Sequence, residues 1–258
     1  MRITLVGSGN VATHLGATLK NAGHQIVQVW SQNLQHAALL AYHIKAEPID
    51  DLKQVSADTD LIIISVKDDA VETVASFIPI KNVLVVHTCG SVSMQVLEKY
   101  FTACGVFYPL QTFSKNRELD FRTVPLCIES TDKNSTDILI DLGRTISNQV
   151  SYVGSDQRKI LHLAAAFACN FSNHLYSVAA DLLQENQLNF DLLRPLILET
   201  ALKIQSFPPL KVQTGPAVRG DEQTMRAHLD LLQQQPDLQQ IYRLLSQGII
   251  KMDKSNSA

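Results

Sequence analysis

The residues best suited to chemistry lie on one predicted helix, where amide and imidazole side chains recur at helical spacing. Asn170 and His174 are four residues apart and His162 comes two turns earlier, so the three form one polar stripe. Their neighbours are mostly alanine, leucine and phenylalanine, so these polar groups need partners in the fold or in a ligand. An amide can orient a carbonyl or imine and a histidine can donate a proton, which makes Asn170 and His174 candidate catalytic residues. An internal hydrogen-bond network without chemistry is the alternative.

Three further sites could serve a small substrate. His87 ends a predicted central strand, where it could contact a ligand and act as a third catalytic residue, or simply hydrogen-bond to neighbouring backbone. Gln111 and Thr112 lie in a weakly charged loop and are candidate substrate contacts. Arg219 lies in a constrained turn that opens a helix, and its guanidinium could bind a substrate carboxylate through two hydrogen bonds.

The first 23 residues predict the element that would hold a cofactor. An apolar run is followed by a glycine turn, and leucines then recur at helical spacing, which is typical of a strand, a tight turn and a helix. Gly7 permits the turn, Gly9 lets a diphosphate approach the backbone, and Ala12 is small enough for the helix to pack on its strand. Free amides and the helix dipole favour an anion at this point. We therefore predict a dinucleotide site formed by Gly7, Ser8, Gly9, Asn10 and Val11.

The end of the second predicted strand bears on the choice between NAD and NADP. An NAD enzyme usually has Asp or Glu here to bind the ribose hydroxyls, and this chain has Ser31, Gln32 and Asn33 instead. No carboxylate repels a 2′-phosphate, but no Lys or Arg occurs between Lys20 and Lys45 to attract it. The pattern favours NADP modestly and leaves NAD possible. Alternatively, Ser31 and Asn33 only cap the following helix.

A third part of the cofactor site is expected after the apolar strand at residues 61–66, which reads as a central parallel strand buried on both faces. Ligands of such sheets bind at the carboxyl ends of the strands. Ser65, Val66 and Lys67 are therefore predicted to contact the cofactor.

These residues need an α/β fold to position them. Seven or eight strands alternating with helices over residues 1–153 predict a Rossmann-type, mostly parallel sheet, which would be the dinucleotide-binding domain. The pattern then becomes all helical, with Ser155 as a candidate N-cap and one helix running to about residue 184. Residues 154–258 are predicted to form an all-α domain for substrate binding and dimerisation.

Composition limits the classes of partner. A formal net charge of −3 over 258 residues, without a basic run, argues against nucleic acid or an anionic membrane. No leader pattern or long apolar segment is present, which predicts a cytoplasmic location. Four widely spaced cysteines lack zinc-site spacing, so no metal is expected. A small-molecule substrate and a homodimer remain the predicted partners.

The chain resembles, over nearly its full length, a family of predicted oxidoreductases that join a Rossmann-like domain to a helical domain of unknown function, number 2520. The resemblance lies in five strings, GSGNVATHL, HTCGS, YPLQTFS, FACNFSNHL and TGPAVRGD. More distantly the layout is similar to ketopantoate reductases, pyrroline-5-carboxylate reductases, and the 6-phosphogluconate and 3-hydroxyisobutyrate dehydrogenases. This resemblance implies NADP(H) or NAD(H) as cofactor and a dimer built on the helical domain, and it does not specify the substrate.

Two departures from the family pattern matter. The family tends to have an Arg where this chain has Gln32, which weakens the implied 2′-phosphate clamp. In the hydroxyacid dehydrogenases and ketopantoate reductases a Lys precedes the helix Asn by four residues, and the matching position here is Ala166. Either His87 or His174 supplies the proton, or a protonated imine needs none, or the protein is not a catalyst.

The sequence thus favours an NADP-dependent oxidoreductase that transfers hydride between NADP(H) and a small keto, imino or hydroxy acid. A nucleotide-binding sensor or scaffold without turnover is the main alternative. A methyltransferase with another Rossmann-type ligand is the third.

Overall fold

The computed structural model describes residues 1–257, and the side chains of residues 1–253. The chain is divided into two compact units, of which the first is Met1–His174 and the second begins at Leu175. In the described residues, no helix combines the length and the hydropathy that a membrane crossing requires.

The first unit is built on an eight-stranded sheet with the order β3-β2-β1-β4-β5-β6-β7-β8. The strands are β1 Arg2–Val6, β2 Gln25–Trp30, β3 Glu47–Ile49, β4 Leu61–Ile64, β5 Leu84–His87, β6 Cys104–Pro109, β7 Leu126–Ser130 and β8 Val150–Tyr152. All neighbours are parallel except β6 and β7. The predicted Rossmann-type, mostly parallel sheet is confirmed.

The helices of this unit pack on both faces of the sheet, which gives two large core clusters beside a small third one at β6 and β7. They are α1 Asn10–Asn21, α2 Leu34–Ile44, α3 Val71–Phe77, α4 Gln95–Glu98, α5 Lys133–Ile146 and α6 Ser155–Ala165. Every residue of β4 is buried, because its leucine and three isoleucines contact helices on one face or the other. Strand β1 lies between β2 and β4, so the turn after it opens at the middle of the sheet's carboxyl edge.

The long helix predicted after residue 154 has its N-cap one residue earlier than expected, and its regular geometry is interrupted once. Gly154 is the N-cap, and Ser155 is the first helical residue, because its amide and hydroxyl donate to Glu129 rather than capping the helix. A π-helical turn at Ala166–Phe171 follows α6, and α7 then runs over Ser172–Glu185. Asn170 belongs to this turn, a rare geometry that often occurs at functional sites.

The second unit is helical in all its regular elements, as predicted. After α7 come α8 Arg194–Ser206, α9 Pro216–Arg219, α10 Glu222–Leu231 and α11 Pro236–Ser257. Among its described residues only two hydrophobic side chains are buried, Ala217 and Leu232. Many leucines of α8 are exposed instead; Leu196, Leu198 and Leu202 are each more than half exposed. The described part of this unit therefore buries very little apolar surface within itself.

Candidate functional site

The turn between β1 and α1 has the backbone geometry of a phosphate cradle. Gly7 adopts φ +133°, and a Cβ here would overlap the carbonyl oxygen of Ser65, which directly follows β4, so only glycine fits. Gly9 is the N-cap of α1 in an extended conformation, and a Cβ there would meet no atom within 4 Å. No side chain caps α1, whereas α2 and α5 are capped by Asn33 and Asp132. The first amides of α1 are thus left for a ligand.

A loop after β6 lies against this turn. Asn10 donates its side-chain amide to the carbonyl of Phe113 at 2.9 Å, and the Nζ of Lys115 donates to the carbonyl of Ser8 at 2.9 Å. The ring of His14 contacts the carbonyl of Ser114, also at 2.9 Å. These contacts place a cation beside the cradle, which strengthens the attraction for an anion.

A cavity of about 850 Å³ in the first unit begins at this cradle. It is large enough for a dinucleotide and lies at the carboxyl edge of the sheet, where ligands of such folds bind. Its lining includes ten of the eleven predicted cofactor residues: Gly7, Ser8, Gly9, Asn10, Val11, Ser31, Gln32, Ser65, Val66 and Lys67. The eleventh, Asn33, does not line it, since its side chain accepts the amide of Gln35 at the start of α2.

The far side of the cavity is formed by a tyrosine, a histidine and a glycine from three different elements. The hydroxyl of Tyr108, at the end of β6, lies 3.1 Å from Nδ1 of His162 on α6. Gly90, after β5, packs against both rings; a Cβ there would lie 2.5 Å from Nδ1 of His162 and 2.9 Å from Cζ of Tyr108. Burial raises the pKa of Tyr108 to about 12, so its phenol stays protonated at neutral pH.

The structure places His87 in the core and not at the cavity. Its side chain is fully buried, and Nδ1 accepts the amide of Cys89 at 3.2 Å. Burial, together with the charge of Arg158, lowers the pKa of His87 to about 4, so the ring is neutral at pH 7. A buried neutral imidazole without access to the cavity cannot pass a proton to a bound substrate. This geometry corrects the expectation that His87 contacts a ligand directly.

The other predicted site residues are dispersed. Gln111 lines the cavity, while Thr112 lies in a separate surface depression formed by the same loop. Asn170 and His174 are exposed on the helical stretch after α6 and do not line the cavity. Arg219 ends α9 in the second unit and is exposed.

Sequence reasoning did not identify Tyr108 and His162 as a pair. His162 was assigned to the polar stripe, and Tyr108 is the first residue of the YPLQTFS string, but no contact between them was predicted. Their contact joins positions 54 residues apart, and no local periodicity encodes such a contact. The glycine of the HTCGS string was the available signal, because an isolated glycine after a central strand often marks a close approach.

The fold and the cradle define a dinucleotide-binding protein of the Rossmann type, in which the cofactor lies along the carboxyl edge of the sheet. Residues 2–89 match the family described as coenzyme F420-dependent NADP oxidoreductase, and residues 124–249 match the domain of unknown function DUF2520. The chain belongs to the family of NADP oxidoreductases that combines these two parts.

One solved structure supports this assignment, and two more distant ones share the fold. A Bacteroides fragilis protein that carries the provisional name NADP oxidoreductase is 43% identical, with 97% of this chain and 98% of that chain covered and a TM-score of 0.92. An imine reductase from Myxococcus stipitatus in complex with NADP⁺ is 14% identical, covers 99% and 93% of the two chains, and has a TM-score of 0.65. A 1-pyrroline-5-carboxylate reductase from Streptococcus pyogenes is 15% identical, covers 99% and 98%, and has a TM-score of 0.63. The last two share the fold. No curated protein matches the sequence at a significant level.

Proposed function

We propose that this protein is an NADPH-dependent reductase of a small imino or keto acid. One observation carries the proposal: a single cavity is bordered at one end by the glycine cradle and at the other by the Tyr108–His162 pair. A cofactor phosphate at the cradle would leave the far end for the nicotinamide and a substrate. When bound, NADPH supplies the hydride.

The residues present fit such a cofactor. The uncapped amides of α1, the open space at Gly9 and the cation of Lys115 suit the diphosphate. At the end of β2, the hydroxyls of Ser8 and Ser31 lie 3.1 Å apart, and the three residues that follow the strand, Ser31, Gln32 and Asn33, contribute no carboxylate that would repel a 2′-phosphate. These features support NADP over NAD.

A small substrate with a C=N or C=O bond fits the remaining lining best. The fold shared with an imine reductase and a pyrroline-5-carboxylate reductase supports an imine as the first choice. Lys67 lines the cavity and could attract a carboxylate, as Gln111 could hydrogen-bond to one. Roles for Thr112, Asn170, His174 and Arg219 stay predictions.

We further propose that the protein acts as a homodimer. The second unit buries only two hydrophobic side chains among its described residues and exposes a row of leucines on α8. Exposed apolar surface on this scale is typical of an interface, and a second copy of the chain is the simplest partner. The division into a cofactor domain at residues 1–153 and a substrate and dimerisation domain at 154–258 stays a prediction, as does a cytoplasmic location.

The test is a screen of the purified protein with NADPH against cyclic imino acids and 2-keto acids, read as loss of dihydronicotinamide absorbance. Oxidation that depends on one class of substrate supports the proposal. Tight NADPH binding without oxidation by any substrate would contradict it and favour a nucleotide-binding sensor or scaffold. A Gly9→Val variant is the matched control, since it should lose both binding and turnover.

A further inference from the structure

A buried ion pair joins the first turn of α6 to strand β7. Nη1 of Arg158, which is fully buried, lies 2.5 Å from Oε2 of Glu129. Its Nη2 donates to the carbonyl of Val92 at 2.6 Å and to the hydroxyl of Ser155 at 3.1 Å. Glu129 also accepts the amide and the hydroxyl of Ser155, at 2.9 and 2.7 Å. The start of α6 is therefore fixed to the sheet by several charged hydrogen bonds.

This arrangement is better explained by geometry than by stability. Removing two charges from water cancels much of their mutual attraction, so a buried pair adds little net stability over apolar residues of similar size. A guanidinium held at two of its nitrogens, however, fixes both the rotation and the height of the helix that carries it. The Arg158–Glu129 pair thus sets where the next turn of α6 meets the sheet.

The next turn carries His162. It follows Arg158 by four residues and therefore lies on the same side of α6. Its ring meets Tyr108 edge to face, with centroids 6.1 Å apart, and Gly90 leaves no room for the ring to shift toward the loop after β5. The hydrogen bond with Tyr108 engages Nδ1, which leaves Nε2 as the nitrogen that can exchange a proton.

Resting on the proposed function, we propose that His162 is the catalytic acid of this protein, that Tyr108 orients its ring, and that Arg158 and Glu129 are positioning residues for it. Asn170, His174 and His87 then need not carry the proton, and the Lys of related dehydrogenases has a replacement one turn before Ala166.

The surroundings suit this role. The other titratable side chains described at the cavity are Lys67, Asp68, Cys89 and Tyr108. Burial raises the pKa of Cys89 above its usual range, as it does that of Tyr108, so neither loses its proton near neutral pH. His162 is exposed and can regain a proton from solvent. Its own helix adds the cations Arg158 and Lys159, the first neutralised by Glu129 and the second by Asp156.

Reduction of the substrate requires one hydride and one proton. The carbon of the C=N or C=O bond takes a hydride from the dihydronicotinamide, which is thereby oxidised. The nitrogen or oxygen takes the proton from Nε2 of His162, so one N–H bond of the imidazolium breaks and one N–H or O–H bond of the product forms. The neutral imidazole keeps its Nδ1–H on the Tyr108 oxygen and recovers its second proton from water.

The first experiment uses the substrate that the wild-type protein reduces. His162→Ala should lower kcat by about 100-fold, with NADPH affinity changed less than about twofold, because the residue lies at the end of the cavity opposite the cradle. Added imidazole should restore part of the rate of the His162→Ala variant. Tyr108→Phe should lower kcat by about tenfold.

The second experiment tests positioning. Arg158→Met should lower kcat by about tenfold with little change in KM for NADPH, and Arg158→Lys should recover part of that loss. Lys159→Met is the control, because it removes only an exposed ion pair with Asp156 on the same turn and should leave kcat unchanged. If Arg158→Met does not fold, the test depends on Arg158→Lys. This variant should have a reduced kcat, because one lysine ammonium cannot reach both Glu129 and the carbonyl of Val92.

The outcomes separate the two proposals. If the wild-type protein turns over and His162→Ala keeps the wild-type kcat, the assignment of the acid is overturned and the proposed function stands. If Arg158→Met alters thermal stability but not kcat, the positioning role is overturned. If none of the tested substrates causes the wild-type protein to oxidise NADPH, both proposals are overturned.

Discussion

Substitution of Gly9 by valine should weaken cofactor binding while leaving the fold intact. The backbone at Gly9 has φ −76° and ψ −171°, a conformation open to any residue, and a Cβ there would meet no atom within 4 Å. The Cβ of the added side chain therefore meets no steric obstacle in the protein. It would, however, project from the N-cap of α1 into the space where a diphosphate must approach the amides.

The size of the effect follows from the hydrogen bonds lost. A hydrogen bond to a charged group contributes roughly 1.5 to 3 kcal/mol. A valine that displaces the phosphate from one amide should therefore raise the Kd for NADPH by about tenfold to a hundredfold, since each tenfold is about 1.4 kcal/mol. Gly9→Ala should give a smaller increase. Fluorescence titration of the reduced cofactor measures the Kd, and thermal unfolding without cofactor reports stability.

Gly7→Ala is the matched contrast. Its Cβ would overlap the Ser65 carbonyl at φ +133°, so the substitution should cost about 3 kcal/mol in the free energy of unfolding and lower Tm markedly. The reasoning fails if Gly9→Val binds NADPH as the wild type does, or if Gly9→Val loses as much stability as Gly7→Ala.

Three further predictions concern pH, assembly and the helical candidates. Because the folded-state pKa of His87 is lowered from 6.5 to about 4, the unfolded chain binds its proton more readily in that window, and stability should fall as the pH decreases through it, by up to about 3 kcal/mol. Urea unfolding of His87→Gln should show a flatter pH dependence; an unchanged slope would contradict this. Light scattering should give a mass twice that of the 28.6 kDa chain, and Leu196→Asp should lower the measured mass toward that of a single chain. A monomeric wild-type protein would contradict the dimer. Asn170 and His174 are exposed and do not line the cavity, so Asn170→Ala and His174→Ala should leave kcat/KM and NADPH affinity close to those of the wild type; a loss of roughly 10-fold or more in kcat/KM would instead support their predicted catalytic role.

Local patterns predicted the elements of the fold well. The strand, glycine turn and helix at the start of the chain were readable because apolar periodicity changes there from strand to helix, with glycines between. The buried strand β4 was readable because it is apolar at every position. The predicted edge of the sheet also led to most of the cavity lining, because parallel strands end at a common edge.

Contacts between distant residues were not predictable in the same way. The charges of Arg158 and Glu129 look like ordinary surface residues in the sequence, and only the packing of α6 on β7 buries them together. His87 illustrates the opposite error, since a histidine at a strand end can face the cavity or the core, and strand periodicity does not decide which. The π-helical turn at Ala166–Phe171 has no sequence signature that we recognise.

The order of strands in the sheet has a consequence for how the chain folds as it is synthesised. Strand β4 joins β1, and from β5 onward each new strand joins the strand made just before it, in the order β4-β5-β6-β7-β8. The sheet can therefore grow outward in one direction behind the ribosome, with each strand covering the edge left by its predecessor. A nascent chain that ends at Tyr152 already has every strand, yet Glu129 still lacks Arg158. When all eight strands are present, the carboxylate of Glu129 on β7 therefore stays uncompensated until the first turn of α6 emerges.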